Sequence, residues 1–478
     1  MLCVRIVVWR AQQVASPPHF VSRLKMPGGY VPPHVKRRHE RAANEVSTSM
    51  SPRSSSQHAL TPSNPVTFDE CTKTVTRAEK MSKQHNKRSE ALALFEQAVT
   101  GLRNLASLEN ALDEVRVALA DTLLQFARET TLAVRLLPLR ESTQFDERAA
   151  ANRAVALCDE AFTLYEQVKR DDLERSNGIA TALSAVVEYA AGTRGYVFTR
   201  DALSRATEKY DAIVRLLESD ANTQGDMLPA LWNAADARLK YAENAIELAD
   251  FDAAKRSYGE MIAIYEKACG FADASQGDDL GGLLYDWGCS VTSFAQFMLK
   301  LDAHEEAMQA IDVAIEKLKS SSSFSLGAIE PLNAIGDAYQ TKAEIFMARG
   351  DDNSACESFK LAMSEGFDRA LRSNASNLDG NIGIGEASMD LGRLCLKHHD
   401  IDGSKSSFER AWASYQKAMA NTEADPGGCE ERFSVVYNAA CAAKRAGFVD
   451  ASRELLSMLL ICNGTTLEAI NSDVDLQQ

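Results

Sequence analysis

Between Ala254 and Leu459 one triplet recurs five times: a small residue, an aromatic or large aliphatic residue four positions on, and a small or apolar residue three after that. It reads Ala254-Tyr258-Met261, Ala307-Ile311-Ala314, Ala355-Phe359-Ala362, Ser404-Phe408-Ala411 and Ser452-Leu456-Leu459. Residues four and three apart share one helix face, so the small residue lets a neighbouring helix come close while the large one fills the space beyond it. The near-constant period, roughly 48 residues, marks a repeat architecture in which each unit completes its apolar cover only with its neighbours.

A partner helix precedes each triplet. Ahead of Ala355 stand Tyr339, Ala343 and Phe346, broken at Gly350-Asp351-Asp352; ahead of Ser404 stand Ser388, Leu391, Gly392 and Cys395, broken at His398-His399-Asp400. Ahead of Ser452 runs Val436 to Cys441, broken at Gly447, so each unit reads as a helical hairpin with a turn of a few residues. The amino-terminal half repeats the pattern at Ala91-Phe95-Ala98 and at Ala206-Tyr210-Ile213, with an open register around Cys158-Phe162-Tyr165 and an expected insertion around Pro138. Apolar residues at helical spacing from Phe68 onward predict about seven hairpins, the outer ones irregular because end repeats must close the core.

These positions carry a resemblance. Leu391-Gly392 with Phe408 and Ala411, and Ala343, Phe346, Gly350, Ala355, Phe359 and Ala362 in order, resemble the packing pattern of tetratricopeptide repeats; the stretch from Tyr437-Asn438-Ala439-Ala440-Cys441 to Asp473-Val474-Asp475-Leu476 is similar to the last repeat and tail of such proteins. The departure is length: a standard unit has about 34 residues, the closing Pro is missing, and the extra residues are expected to lengthen helices or connections such as Ser320 to Ser325, Ser373 to Gly385 and Asn421 to Gly428. The expected fold is all-α, an α-solenoid of stacked helical hairpins. Residues 1–67 are expected to form a disordered basic tail, 68–225 irregular hairpins, 226–462 the regular repeats and 463–478 a carboxy-terminal tail.

Charge sharpens the functional reading. Through Val66 there are nine Lys and Arg against two acids, whereas the remainder holds 43 basic and 65 acidic residues, a net of −22. An acidic body lacks the clustered cations that neutralise phosphates, which argues against nucleic-acid binding outside the tail. No apolar run approaches the roughly 18 to 20 residues needed to cross a bilayer. The ten cysteines show no C-x-x-C and no metal-type spacing, so they read as reduced apolar fillers, and Asn374-Ala375-Ser376 and Asn463-Gly464-Thr465 as chance sequons.

From Met1 to Lys25 there are four basic residues and no acid, the composition of an organellar transit peptide, which would direct the chain to a mitochondrion or plastid. If Met26 is the start instead, Lys36-Arg37-Arg38-His39-Glu40-Arg41 becomes a nuclear signal or an RNA-contacting cluster, and cytoplasm or nucleus is expected. The run Gly29-Tyr30-Val31-Pro32-Pro33-His34-Val35-Lys36-Arg37 resembles a short segment near the amino terminus of some DEAD-box RNA helicases, with Lys36 in an Arg position. No helicase core follows, so the likeness implies at most a peptide-docking or RNA-proximal motif.

Motifs of catalysis do not assemble along the chain. Gly380-Asn381-Ile382-Gly383-Ile384-Gly385 lacks the preceding strand and following Lys-Ser/Thr of a phosphate loop, and reads as a loop between repeats. His398-His399-Asp400 has no companion ligands at zinc spacing and reads as a solvated turn. Paired acids such as Glu305-Glu306 and Asp351-Asp352 suit the first turn of a helix. Trp232, Trp287 and Trp412 are expected to pack in the core. No catalytic, cofactor or metal set is expected.

In the solenoids this chain resembles, the first helix of each hairpin lines a concave groove. That places Gln340, Glu344, Arg393, Lys397, Asn438, Lys444 and Arg445 towards a ligand, and four of the seven are basic. A basic strip on an acidic body would attract an acidic or carboxylate-terminated peptide. The Lys and Asn pattern by which some relatives clamp chaperone tails is not reproduced, because Gln340 and Glu344 fill those places. The expected function is a non-catalytic scaffold or adaptor for partner proteins. The alternatives are an RNA-associated regulatory factor acting through the basic tail and an enzyme on a helical scaffold.

Overall fold

The computed structural model describes residues 67–82, 87–108, 111–135, 144–168, 173–219, 224–271, 277–324, 328–424, 432–461 and 467–477. The basic amino-terminal segment, the insertion around Pro138 and the Asn463 sequon lie outside them. Among the described residues every regular element is helical. Two compact units divide the chain, and their boundary falls between Ser257 and Tyr258.

The first unit holds the hairpins α1 (Phe68–Ser82) with α2 (Arg88–Ala106), α3 (Asp113–Arg135) with α4 (Gln144–Gln167), and α5 (Leu173–Arg194) with α6 (Tyr196–Ser219), then α7 (Gln224–Glu247) and the start of α8 (Phe251–Phe271). The second holds α9 (Gly277–Lys300) with α10 (His304–Phe324), and α11 (Ile329–Ala348) with α12 (Asp352–Leu361), a π-helical turn (Ala362–Phe367) and α13 (Asp368–Ser373). It continues with α14 (Leu378–Lys397) and α15 (Ile401–Ala424), then α16 (Arg432–Arg445) and α17 (Val449–Ile461), and ends in two short helices, α18 (Leu467–Ser472) and α19 (Val474–Gln477). Three hairpins of the first unit and four of the second lie wholly within their units among the described residues.

The extra length of each repeat lies in its helices. Three residues connect α9 to α10, α11 to α12, α14 to α15 and α16 to α17, whereas α9 and α15 each run 24 residues. The expected connections are thereby corrected: Ser320 to Phe324 completes α10, Asn421 to Ala424 completes α15, and Leu378 to Gly385 opens α14. Only Asn374 to Asn377 separates α13 from α14.

Five of the turns share one geometry. Ala249, Asp302, Gly350, His399 and Gly447 all have positive φ, between 56° and 90°. The next residue sends its N–H back to the carbonyl five before it: Asp250 to Ala245 at 2.8 Å, Ala303 to Met298 at 3.0 Å, Asp351 to Phe346 at 2.9 Å, Asp400 to Cys395 at 2.9 Å and Phe448 to Ala443 at 2.7 Å. This left-handed cap satisfies the last carbonyls of one helix while reversing the chain. Where the next residue is Asp, its Oδ1 caps the following helix, accepting from Ala253 at 3.2 Å, Ser354 at 3.1 Å and Gly403 at 2.9 Å. The first triplet residue follows four positions later, which ties the spacing of the repeat to its turn.

All first and third triplet members of the five repeats are buried, as are Tyr258, Ile311, Phe359 and Phe408, with Leu456 half-buried. A further large residue, seven after the middle member, is buried in both units: Leu102, Tyr165, Leu217, Tyr265, Leu318 and Tyr415. Tyr165 resolves the open register, because Ala154, Cys158 and Ala161 form the buried triplet of α4 while Phe162 is half-buried. Trp287 is buried and stacks on Tyr265 at 6.1 Å; Trp232 and Trp412 are half-buried, the latter against Phe448 at 6.2 Å.

Glycines form the sockets for these side chains. A Cβ on Gly385 would stand 2.6 Å from Tyr415, and on Gly392 2.7 Å from Phe408. The run Gly380 to Gly385 is therefore a buried helical face and not a loop. Its glycines permit an approach that a methyl group would block. The π-helical turn adds one residue after Phe359, so that Phe367, eight positions on, takes the place that Tyr265, Leu318 and Tyr415 hold at seven. Phe367 then lies between Gly336 of α11 and Gly383 of α14, while Gly366 meets the Gly336 backbone.

Candidate functional site

The seven residues expected to line a groove are all in the second unit, and the structure distributes them unequally. Gln340 is buried, and its Nε2 donates to the Gly383 carbonyl at 3.1 Å, joining α11 to α14. Glu344 on α11, and Asn438 and Lys444 on α16, are half-buried. Lys397 ends α14 and pairs with Asp352 of the preceding hairpin at 2.6 Å. His398 Nε2 lies 2.8 Å from the same carboxylate, so the His-His-Asp turn is tied to α12 through one of its histidines.

Arg393 of α14 and Arg445 of α16 are brought together, and Asp475 of the carboxy-terminal segment sits between them. Arg445 Nε donates to Asp475 Oδ1 at 2.9 Å, and Arg393 Nη2 donates to Asp475 Oδ2. Arg393 Nη1 also donates to Asp390 Oδ1 at 2.5 Å, completing an alternating row of four charges. Two residues earlier Asp473 accepts from the Tyr437 hydroxyl at 2.9 Å, and its other oxygen accepts the Asp475 N–H at 2.8 Å. Ile470 and Leu476 pack against the apolar cluster of Phe408, Tyr415, Val436 and Leu459. The strip thus holds an acidic segment, supplied by the chain itself.

Electrostatics follow from this burial. Asp475 is 3% exposed. Burial opposes its ionisation, but the two guanidiniums outweigh that and hold its carboxyl below the usual range. Burial would likewise lower the Arg393 value, and Asp390 and Asp475 overcome it, so Arg393 stays charged. Burial, reinforced by Asp473, pushes both the Tyr437 hydroxyl and the Cys441 thiol up, leaving them neutral donors. Sequence reasoning missed Tyr437 as a polar contact and both aspartates as occupants; their i, i+2 spacing beside Leu476 was the available signal.

Chemistry elsewhere is sparse. A concavity of about 520 Å³ opens between α1 and α2, where burial, then Glu70, raises the Cys71 thiol and keeps it protonated. Among the described residues no cluster of three or more His, Cys, Asp or Glu is placed to hold a metal ion, and no helix is long and apolar enough to cross a membrane.

No family model matches the chain, and no curated protein matches it. It is similar to the solved apo form of the quorum sensor NprR from B. thuringiensis, at 10% identity over 90% of this chain and 94% of that one, with a TM-score of 0.44. It is similar to the nuclear import adaptor Nro1, a structure from S. pombe, at 12% identity over 67% of this chain and 99% of the other, TM-score 0.39. A third likeness is to a Rap protein complexed with competence and sporulation factor, at 11% identity over 85% and 99%, TM-score 0.34. These values describe a distant likeness among helical proteins.

Proposed function

We propose that the chain is a non-catalytic scaffold of the tetratricopeptide kind whose carboxy-terminal hairpins bind an acidic segment of a partner protein. The observation that carries this reading is the pairing of Arg393 and Arg445 with one carboxylate on an otherwise acidic body. Two guanidiniums from different helices present a fixed fork that suits carboxylates better than any flexible cation. The packing pattern of the hairpins supports the family reading.

The test is affinity purification on the full chain, wild type against Arg393→Glu with Arg445→Glu, followed by partner identification. Loss of a discrete set of partners carrying acidic segments is expected. An identical partner set from both proteins would overturn the reading.

A further inference from the structure

The Asp475 contact has two explanations: the last residues cap the final hairpin, or they occupy a receptor. Several observations favour the second. The aspartates use polar side chains from two different hairpins, Arg393 on α14 and Tyr437 and Arg445 on α16, so the contact spans a surface and does not merely finish one helix. Helices of six and four residues have no stability of their own in water, so α18 and α19 are ordered by what they touch. The cluster of Phe408, Tyr415, Val435, Val436 and Leu459 is assembled by α15, α16 and α17, with Ile470 and Leu476 packed only partly buried on its border. Removing Asp475 would take from the two arginines the carboxylate they share, a costly loss at a largely buried position. A site of this kind favours an acidic occupant from whichever chain supplies it.

We infer that Tyr437, Arg393 and Arg445 form a receptor for a short Asp-x-Asp-Leu segment, filled in the resting protein by residues 473–476, and that a partner segment of the same chemistry binds by displacing them. This rests on the proposed scaffold function and adds the identity of the recognised motif and its built-in competitor. Recognition has two parts. The arginine pair takes the second carboxylate and the Tyr437 hydroxyl the first, while an aliphatic residue packs against the apolar cluster of α15, α16 and α17. Tethering gives the cis segment a high effective concentration, so a partner must exceed it in affinity or in number of contacts. Arg393 is partly open to solvent, which makes the competition sensitive to salt.

The experiment uses the full-length chain and a fluorescent synthetic peptide matching residues 467–478, followed by anisotropy. Wild type is expected to bind the peptide weakly. The Asp473→Asn/Asp475→Asn chain is expected to bind it at least tenfold more tightly, and raising salt should weaken that binding. Adding Arg393→Glu and Arg445→Glu should abolish it. Equal affinity of the wild-type and double-Asn chains would overturn the inference while leaving the scaffold function standing; binding unaffected by the arginine reversals would overturn both. If the double-Asn chain fails to fold, a protease site placed between Ile461 and Leu467 of the wild-type chain allows cutting after folding. Exchange of the released tail for labelled peptide, with the helical signal unchanged, is expected. Loss of the last hairpin on release would overturn the receptor in favour of a structural cap, and peptide binding confined to dimers would show a second copy as the occupant and overturn competition in cis.

Discussion

Gly383 faces the ring of Phe367 so closely that a methyl group on Gly383 would overlap it. One residue belongs to α14 and the other to the π-helical turn of the preceding hairpin, so the contact sets how near two repeats approach. Gly383→Ala should therefore destabilise the chain by about 1 to 3 kcal/mol, the usual cost of overpacking. Phe367→Leu in the same chain should recover part of the loss. Denaturant midpoints of the two single variants and the double variant check this, since residues in contact give non-additive changes.

His399, with φ of 61°, holds the turn position where Gly350 and Gly447 stand in other hairpins. An L-residue in the left-handed region costs about 1 to 2 kcal/mol relative to its ordinary conformations, and glycine returns some of that through its flexible unfolded state. His399→Gly should raise the denaturant midpoint, by about 0.5 to 1 kcal/mol in stability. Gly350→Ala should lower it by a similar amount. A fall for His399→Gly would mean that the histidine makes a compensating contact.

Glu243 on α7 lies near Asp236 and Glu247, and burial, followed by these like charges, lifts its carboxyl to about 8 against the help of Lys240. Its folded value is above its unfolded one, so between about pH 4.5 and 8 the folded chain holds a proton that the unfolded chain has released. The linkage sign makes stability fall as pH rises through that window. Glu243→Gln should flatten the fall and make the variant the more stable protein at pH 8, by roughly 2 kcal/mol, with little gain near pH 4. Melting curves of both proteins across that range give the answer.

Asp352 takes both Lys397 and His398, whose side chains are more than half exposed. The Lys397 hydrogen bond holds its carboxyl low, so the contribution of the pair is present above the usual carboxylate range and is lost as pH drops through the folded value. Asp352→Asn should cost no more than about 1 kcal/mol at low salt and less in high salt. A larger loss, insensitive to salt, would point to a packing role for Asp352.

The repeat was legible because the triplet and the three-residue turn are local: helix spacing and a small set of turn residues are written in consecutive positions. The glycine run at Gly380 to Gly385 reads as a loop for a physical reason. Clustered glycines ordinarily mark turns, and their role here depends on Phe367 and Tyr415, which belong to the preceding and following helical segments and lie outside any local window. Arg393 and Arg445 could be picked out as basic positions on first helices, but their common partner is 82 residues from Arg393, beyond any local pattern. Lys397 looks equivalent to Arg393 by helical spacing; one turn along α14 is enough to give it to Asp352 instead.

The five like turns set the register of the hairpins they close. Because a left-handed residue and the position after it fix where the next triplet begins, a repeat duplicated or exchanged between two of these five turns is expected to leave the hairpin downstream in phase. The hairpin containing the π-helical turn is the exception, since its odd residue places Phe367 one step late. A chimaera built across that hairpin keeps its register only if the extra residue and the glycines that receive Phe367 travel together.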